Sequence, residues 1–331
     1  MKNILHDLIN HQTLSKAEAR DLLMALAGGQ FNAAQASAFL TVFMMRNITI
    51  GELEGFRDAM LELCLPMHFD EPVMDVCGTG GDGKDTFNIS TLASFVVAAA
   101  GQPVAKHGNY GVSSPCGSSN VLEFFGCRFK ADAERLKQSL AETNICFMHA
   151  PHFHPAMKNV APIRKELAVK TFFNMLGPMV NPARPDRQLV GVFSLELARQ
   201  YGYLYQQTGK SFVILHATDG YDEISLTGAV KLFSNLGEEL WEPARAGFAL
   251  HPPEAIRGGG SVAESAEIFL RVLEGRGAPA QNEVVIANAA LALWAADQTQ
   301  NRDALKHRAR EALESGKALA CFKKFVQLHS N

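Results

Sequence analysis

The sequence predicts an α/β protein in two parts, a small all-helical segment followed by a larger domain with a central, largely parallel sheet. Three observations carry this reading. Helix-start signatures crowd into residues 1–66, short apolar segments alternate with helix-length stretches after Pro66, and Gly- and Ser-rich loops lie between those segments. Of the 331 residues 47% are apolar, ample for a buried core.

At the start, Met1 to Asp7 lack the apolar run and small-residue cleavage site of a signal peptide. Ser15 with Glu18, Asn32 with Gln35 and Thr49 with Glu52 each form a capping box, in which the first side chain takes a free amide and the second reaches back. Behind the second box, Ala36, Phe39, Leu40 and Phe43 recur at helical spacing and predict one buried face. Beyond Pro66, Val73–Val76, Pro103–Ala105, Ile145–Met148 and Phe212–Leu215 read as strands, and Gly258–Gly260 as a turn. The most apolar run, Leu92 to Ala100, is far shorter than the roughly 20 residues of a membrane span. Six scattered cysteines without a CxxC pair indicate neither a zinc knuckle nor a disulfide framework. A cytoplasmic protein with reduced thiols and no membrane partner is expected. Its net charge of −3, from 31 basic and 34 acidic side chains, gives no basic excess to attract nucleic acid.

Four glycines fall within Gly78-Thr79-Gly80-Gly81-Asp82-Gly83, after one strand and before the polar helix start Thr86-Phe87-Asn88-Ile89-Ser90-Thr91. Exposed amides in such a turn suit an anion. The stretch matches the dinucleotide fingerprint, but the next strand ends in Lys106-His107 where the ribose-binding acid belongs. It also approaches a P-loop, yet Asp85 stands where the magnesium-binding hydroxyl should follow Lys84. A second loop, Lys106 to Asn120, brings one ammonium, several hydroxyls and flexible amides suited to a polyanion, with Ser118 expected to cap the following helix through Glu123. Asp219-Gly220-Tyr221-Asp222-Glu223 places adjacent carboxylates at the end of a buried strand, oxygen ligands of the kind that hold magnesium against phosphates. Three histidines crowd into His149 to His154, but flanking prolines deny them the helical spacing of a metal pair. Arg164 is a planar cation able to grip a carboxylate bidentately.

Together the glycine turn with Thr86 to Thr91, and Lys106-His107-Gly108-Asn109, resemble the anthranilate phosphoribosyltransferases of tryptophan biosynthesis. So do His154-Pro155-Ala156-Met157-Lys158, Ala161-Pro162-Ile163-Arg164, Thr171 to Pro178, Asn181-Pro182-Ala183 and Asp219 to Glu223. The resemblance implies a helical domain over residues 1–66, completed by helices within about 160–185, hinged to an α/β domain over 70–331, and a homodimer formed through the helical part. It implies that Gly78, Gly81, Asp82, Thr86, Asn88, Ile89, Ser90, Thr91, Lys106, His107, Gly108, Asn109, Tyr110, Gly111, Val112, Ser113, Ser114 and Ser118 surround phosphoribosyl pyrophosphate. Ser90 and Glu223 would share one magnesium ion, and Asp222 and Glu223 a second. Gly78, Asn109 and Arg164 would meet anthranilate, with His107, His154 and Pro178 lining its approach. Lys106, Arg164, Asp222 and Glu223 are the residues expected to carry catalysis. Tyr110 and Asn120 depart from the pattern, which often has Arg and Asp there.

Two other functions fit the same architecture. A pyrimidine nucleoside phosphorylase-like enzyme would bind phosphate and ribose without needing the Asp222-Glu223 metal site. A nucleic-acid-binding relative would need a basic face, against which the net charge argues.

Overall fold

Each of the three capping signatures starts a helix. The computed structural model describes residues 2–111 and 115–330, so Val112, Ser113 and Ser114 of the second loop lie outside the described residues. Helix α1 (Lys2–Ile9) is followed by α2 (Lys16–Ala27), α3 (Ala33–Met45) and α4 (Ile50–Leu63). Ser15, Asn32 and Thr49 accept the amides of Glu18, Gln35 and Glu52, whose side chains return to the cap N–H groups. Glu52 also receives the Leu14 amide at 2.9 Å and the Arg46 guanidinium at 2.5 and 3.0 Å. Although this carboxylate is fully buried, its charge is paired and its oxygens are satisfied.

Ala36, Phe39, Leu40 and Phe43 are buried, as their spacing predicts. Phe39 and Phe43 pack edge-on against Phe56 and Phe172, while Phe56 stacks on Phe172 at 4.3 Å. Phe172 belongs to a later stretch, Ala150–Arg184, which joins the residues up to Met67 in one compact unit; the second unit comprises His68–His149 and Pro185–Asn331.

In chain order the second unit opens with β1 (Met74–Gly78), α5 (Ile89–Ala99), β2 (Val104–Gly108), α6 (Ser118–Phe124), α7 (Ala133–Thr143) and β3 (Ile145–His149). The chain then supplies the helical unit with α8 (Ala150–Phe153), α9 (Ala161–Leu167) and α10 (Phe173–Leu176). It returns as β4 (Arg187–Gly191), α11 (Leu195–Gln206), β5 (Ser211–Ala217), β6 (Val230–Ser234), β7 (Gly237–Trp241), α12 (Val262–Leu273), α13 (Pro279–Ala296), α14 (Arg302–Glu314) and α15 (Lys317–His329). The strands form one sheet in the order β3-β2-β1-β4-β5-β6-β7, with the first five parallel and the last two antiparallel. The expected class, a helical part and an α/β part with a largely parallel sheet, is present. Helices α5 and α13 are buried on nearly every side, as helices apolar all round must be.

Three strands differ from the sequence reading. Strand β4 reads as polar, Arg-Gln-Leu-Val-Gly, because buried Gln188 receives the Lys210 ammonium and Arg187 donates to Gln102 Oε1 at 2.8 Å. Strands β6 and β7 form an edge hairpin, and the outermost strand carries exposed glutamates. All six cysteines are free, and no helix among the described residues is long and apolar enough to cross a membrane.

Candidate active site

The strand order sets the location. From β1 the chain steps outward through β2 and β3, then returns beside β1 as β4 and steps the opposite way to β5. Open α/β sheets bind ligands at the carboxyl ends of strands flanking such a reversal. Here those ends are Gly78 and Gly191, register partners, with the Thr79 amide donating to the Gly191 carbonyl at 2.9 Å. A Cβ on Gly191 would lie 1.5 Å from the Asp222 carbonyl oxygen, and one on Gly78 would lie 2.5 Å from Asp222 Oδ2. Gly191 must therefore be glycine for the segment after β5 to lay its acids across the strand ends, and at Gly78 any side chain would displace the Asp222 carboxylate. Gly78 was legible in sequence, whereas Gly191 was not.

Beyond Gly78 the turn is built from positive φ, +66° at Gly80, +76° at Gly81 and +74° at Gly83. Its geometry is fixed by carboxylates: Asp222 Oδ2 accepts the Gly80 amide at 2.6 Å, Asp82 Oδ1 the Lys84 amide at 3.1 Å, and Asp82 Oδ2 the Asp222 amide at 3.4 Å. Thr86 bridges to Arg257, and the Gly258 amide donates to the Asp85 carbonyl at 2.8 Å, so the predicted glycine turn braces this loop.

Asp222 is buried, while its neighbour Glu223 keeps part of its surface exposed. Burial, followed by the charges of Glu223 and Asp82, pushes the Asp222 carboxyl well above the usual carboxylate range. Glu223 is raised by burial too, against the opposing pull of Lys106 and of hydrogen bonds from Ser90. The Lys106 ammonium is itself buried, donating to the Val76 carbonyl at 2.5 Å and to Ser90 Oγ at 3.4 Å. Lys106, Ser90 and Glu223 thus form one row. Among the described residues no three His, Cys, Asp or Glu side chains form a metal cage by themselves. The donor set nevertheless fits magnesium, which takes one or two carboxylates and completes its shell with water and phosphate oxygens. A divalent cation would also offset the cost of burying both carboxylates as anions, together with the repulsion from neighbouring acids.

Around this row, the Asn88 side chain donates to the Cys116 carbonyl at 3.0 Å and joins the two loops. The Ile89 side chain lies in the core, leaving only backbone to face a ligand, and Thr91 is also buried. His107 donates its amide to the buried Asp75 carboxylate at 3.3 Å, an anchor the sequence reading did not single out. Asn109 and Ser118 are paired through backbone and hydroxyl at 3.2 Å. Ser118 is therefore the first residue of α6, and the expected cap through Glu123 is corrected. The N-cap is Gly117, whose amide goes to Asn120 Oδ1, and Glu123 accepts the Tyr110 hydroxyl at 2.8 Å.

In the helical unit, α9 carries Arg164 over the face of Phe173, 5.0 Å from the ring centroid, with one Nη donating to Asn174 Oδ1 at 3.4 Å. Among the described residues it forms no ion pair, and burial lowers its pKa. A half-buried guanidinium without an acid beside it is suited to pairing with a ligand carboxylate. His154 is buried beside Val180, and desolvation lowers its pKa to about 4, so near pH 7 it is a neutral ring. Pro178, also buried, follows in a short 3₁₀ turn over Gly177–Val180.

Known proteins match the whole chain. Residues 2–64 match the family model described as the glycosyl transferase family helical bundle domain, and residues 70–319 its a/b domain. Anthranilate phosphoribosyltransferase of Christiangramia forsetii is 56% identical over 332 residues, covering 100% of both chains. Among solved structures, that of anthranilate phosphoribosyltransferase from Thermus thermophilus is 34% identical with a TM-score of 0.91, covering 99% of each chain. The Saccharomyces cerevisiae protein of that name, solved in complex with PRPP and Mg, is 27% identical with a TM-score of 0.90, covering 98% of this chain and 96% of that one.

Proposed function

The chain belongs to the anthranilate phosphoribosyltransferase family, and we propose that it transfers the 5-phosphoribosyl group of phosphoribosyl pyrophosphate to the amine of anthranilate, releasing pyrophosphate. The observation that carries the anthranilate half is Arg164, a half-buried cation that no acid among the described residues pairs. Phosphoribosyl pyrophosphate is assigned to the α/β unit, where the glycine turn, Asn88, Ser90, Lys106 and the stretch from His107 to Gly111 present amides, hydroxyls and a cation. Val112, Ser113 and Ser114 keep their assignment from the sequence. Ser90 with Glu223, and Asp222 with Glu223, would each hold a magnesium ion. Bound there, magnesium neutralises the charge that develops on the leaving pyrophosphate.

The protein's own groups do the rest by placement. Lys106, held by the Val76 carbonyl and Ser90 Oγ, would place its ammonium against the phosphates from a fixed position. Arg164 would hold the acceptor by its carboxylate and leave the amine free to react at the anomeric carbon, where the new C–N bond forms as the C–O bond to pyrophosphate breaks. An aromatic amine is neutral near pH 7 and already nucleophilic, so no strong base is required, and the amine proton can leave to solvent afterwards. Neutral His154, with Pro178, supplies an uncharged wall for an aromatic ring.

A homodimer through the helical unit is also proposed, supported by the apolar Ile9, Met44 and Met45 side chains exposed on α1 and α3. Supplying anthranilate and a pyrimidine nucleoside to the same preparation tests the reading. With magnesium and phosphoribosyl pyrophosphate, one pyrophosphate should appear per anthranilate consumed; metal-independent phosphorolysis of the nucleoside when inorganic phosphate is supplied would favour the phosphorylase alternative.

A further inference from the structure

Gly111 and Gly117, between β2 and α6, are held together by a side chain to which no substrate or metal has been assigned. Asn120 points back from the first turn of α6, and its Oδ1 accepts the Gly111 amide at 3.0 Å and the Gly117 amide at 2.9 Å. One carbonyl oxygen thereby ties Gly111 to Gly117. The two approach so closely that a Cβ on Gly117 would lie 2.2 Å from the Gly111 nitrogen and 2.7 Å from the Asn109 carbonyl oxygen. The Tyr110 hydroxyl, donating to Glu123 at 2.8 Å, braces the same segment against α6.

We propose that Asn120 is a positioning residue for phosphoribosyl pyrophosphate, clasping Gly111 to Gly117 so that Asn109, Gly111 and Ser118 are held in place before the ligand arrives. An amide suits the task. Its oxygen offers one strong acceptor to two N–H groups, a task a carboxylate at the same place can share. The identity of the ligand rests on the function proposed above, whereas the clasp does not.

The test compares Asn120→Leu, near-isosteric but without an acceptor, with Asn120→Asp, which keeps one, and Asn120→Ala serves if the leucine variant does not fold. Amide exchange resolved at Gly111 and Gly117 needs no substrate. It should quicken in the leucine or alanine variant and stay slow in the aspartate variant. In kinetics, KM for phosphoribosyl pyrophosphate should rise roughly ten-fold without the acceptor, while KM for anthranilate changes by less than about two-fold. The aspartate variant should recover most of the loss. Unchanged exchange on losing the acceptor overturns the clasp; faster exchange with unaltered KM, or equal rises in both KM values, overturns its role toward this substrate. A wild-type protein that consumes no anthranilate would refute the proposed function, and the exchange measurement would still decide the clasp.

Discussion

Arg164→Ala separates recognition of an anthranilate carboxylate from every other way of using this fold. Little of the folded structure depends on the side chain. Its hydrogen bond to Asn174 is long, at 3.4 Å, and its contact with Phe173 is a cation–π interaction on the order of 0.5–1 kcal/mol, offset in part because burial already disfavours the charge. The melting temperature should therefore change little. Toward substrate the loss is one charge-assisted contact of about 1.5–3 kcal/mol, or about 10- to 150-fold in kcat/KM for anthranilate. Initial rates at saturating phosphoribosyl pyrophosphate would be measured with anthranilate and with aniline, which keeps the amine but lacks the carboxylate. Aniline should be a poor acceptor for the wild type and lose little more in the variant, since its missing group never engaged the arginine. Equal penalties on both acceptors, or a large fall in melting temperature, would refute the reasoning and make Arg164 a packing residue of the helical unit.

Asp222→Asn with Glu223→Gln should abolish turnover at ordinary magnesium concentrations. The metal-free variant should melt at or above the wild-type temperature, because burial and mutual repulsion already oppose both charges; activity without magnesium, or a marked loss of stability, would contradict this. Lys106→Met should weaken phosphoribosyl pyrophosphate more than anthranilate when each is titrated calorimetrically, and equal losses in a folded variant would confine the lysine to structure. Acid should destabilise the fold through His154 and His329, whose pKa values burial lowers from 6.5 to about 4. Because the folded values lie below the unfolded ones, this stability is complete above pH 6.5 and is lost as pH falls toward 4, roughly 2 kcal/mol per histidine by pH 5. Denaturant titrations at pH 7 and 5 should show it in the wild type, and less of it in His329→Gln.

What was legible in the sequence is what neighbouring residues decide among themselves. The capping boxes are complete within four residues, and all three appear as expected. The glycine turn and the Asp222-Glu223 pair could be read because their chemistry is written in consecutive residues. Gly191 and β4 could not, since the need for glycine there arises only when register with β1 brings the Asp222 backbone onto it. Asn120 was hidden for a related reason: its two partners are nine and three residues back, and only the folded turn brings them to one oxygen. Arg164 was visible as a cation, but its lack of an acidic partner among the described residues becomes meaningful only once α9 has seated it over Phe173.

The most direct test of the account follows anthranilate fluorescence in the presence of the purified protein, magnesium and phosphoribosyl pyrophosphate. The signal should decay only when all of these are present and should stop when the metal is chelated. An unchanged signal with folded protein and both ligands at saturating concentration, or a decay that persists after chelation, would contradict it.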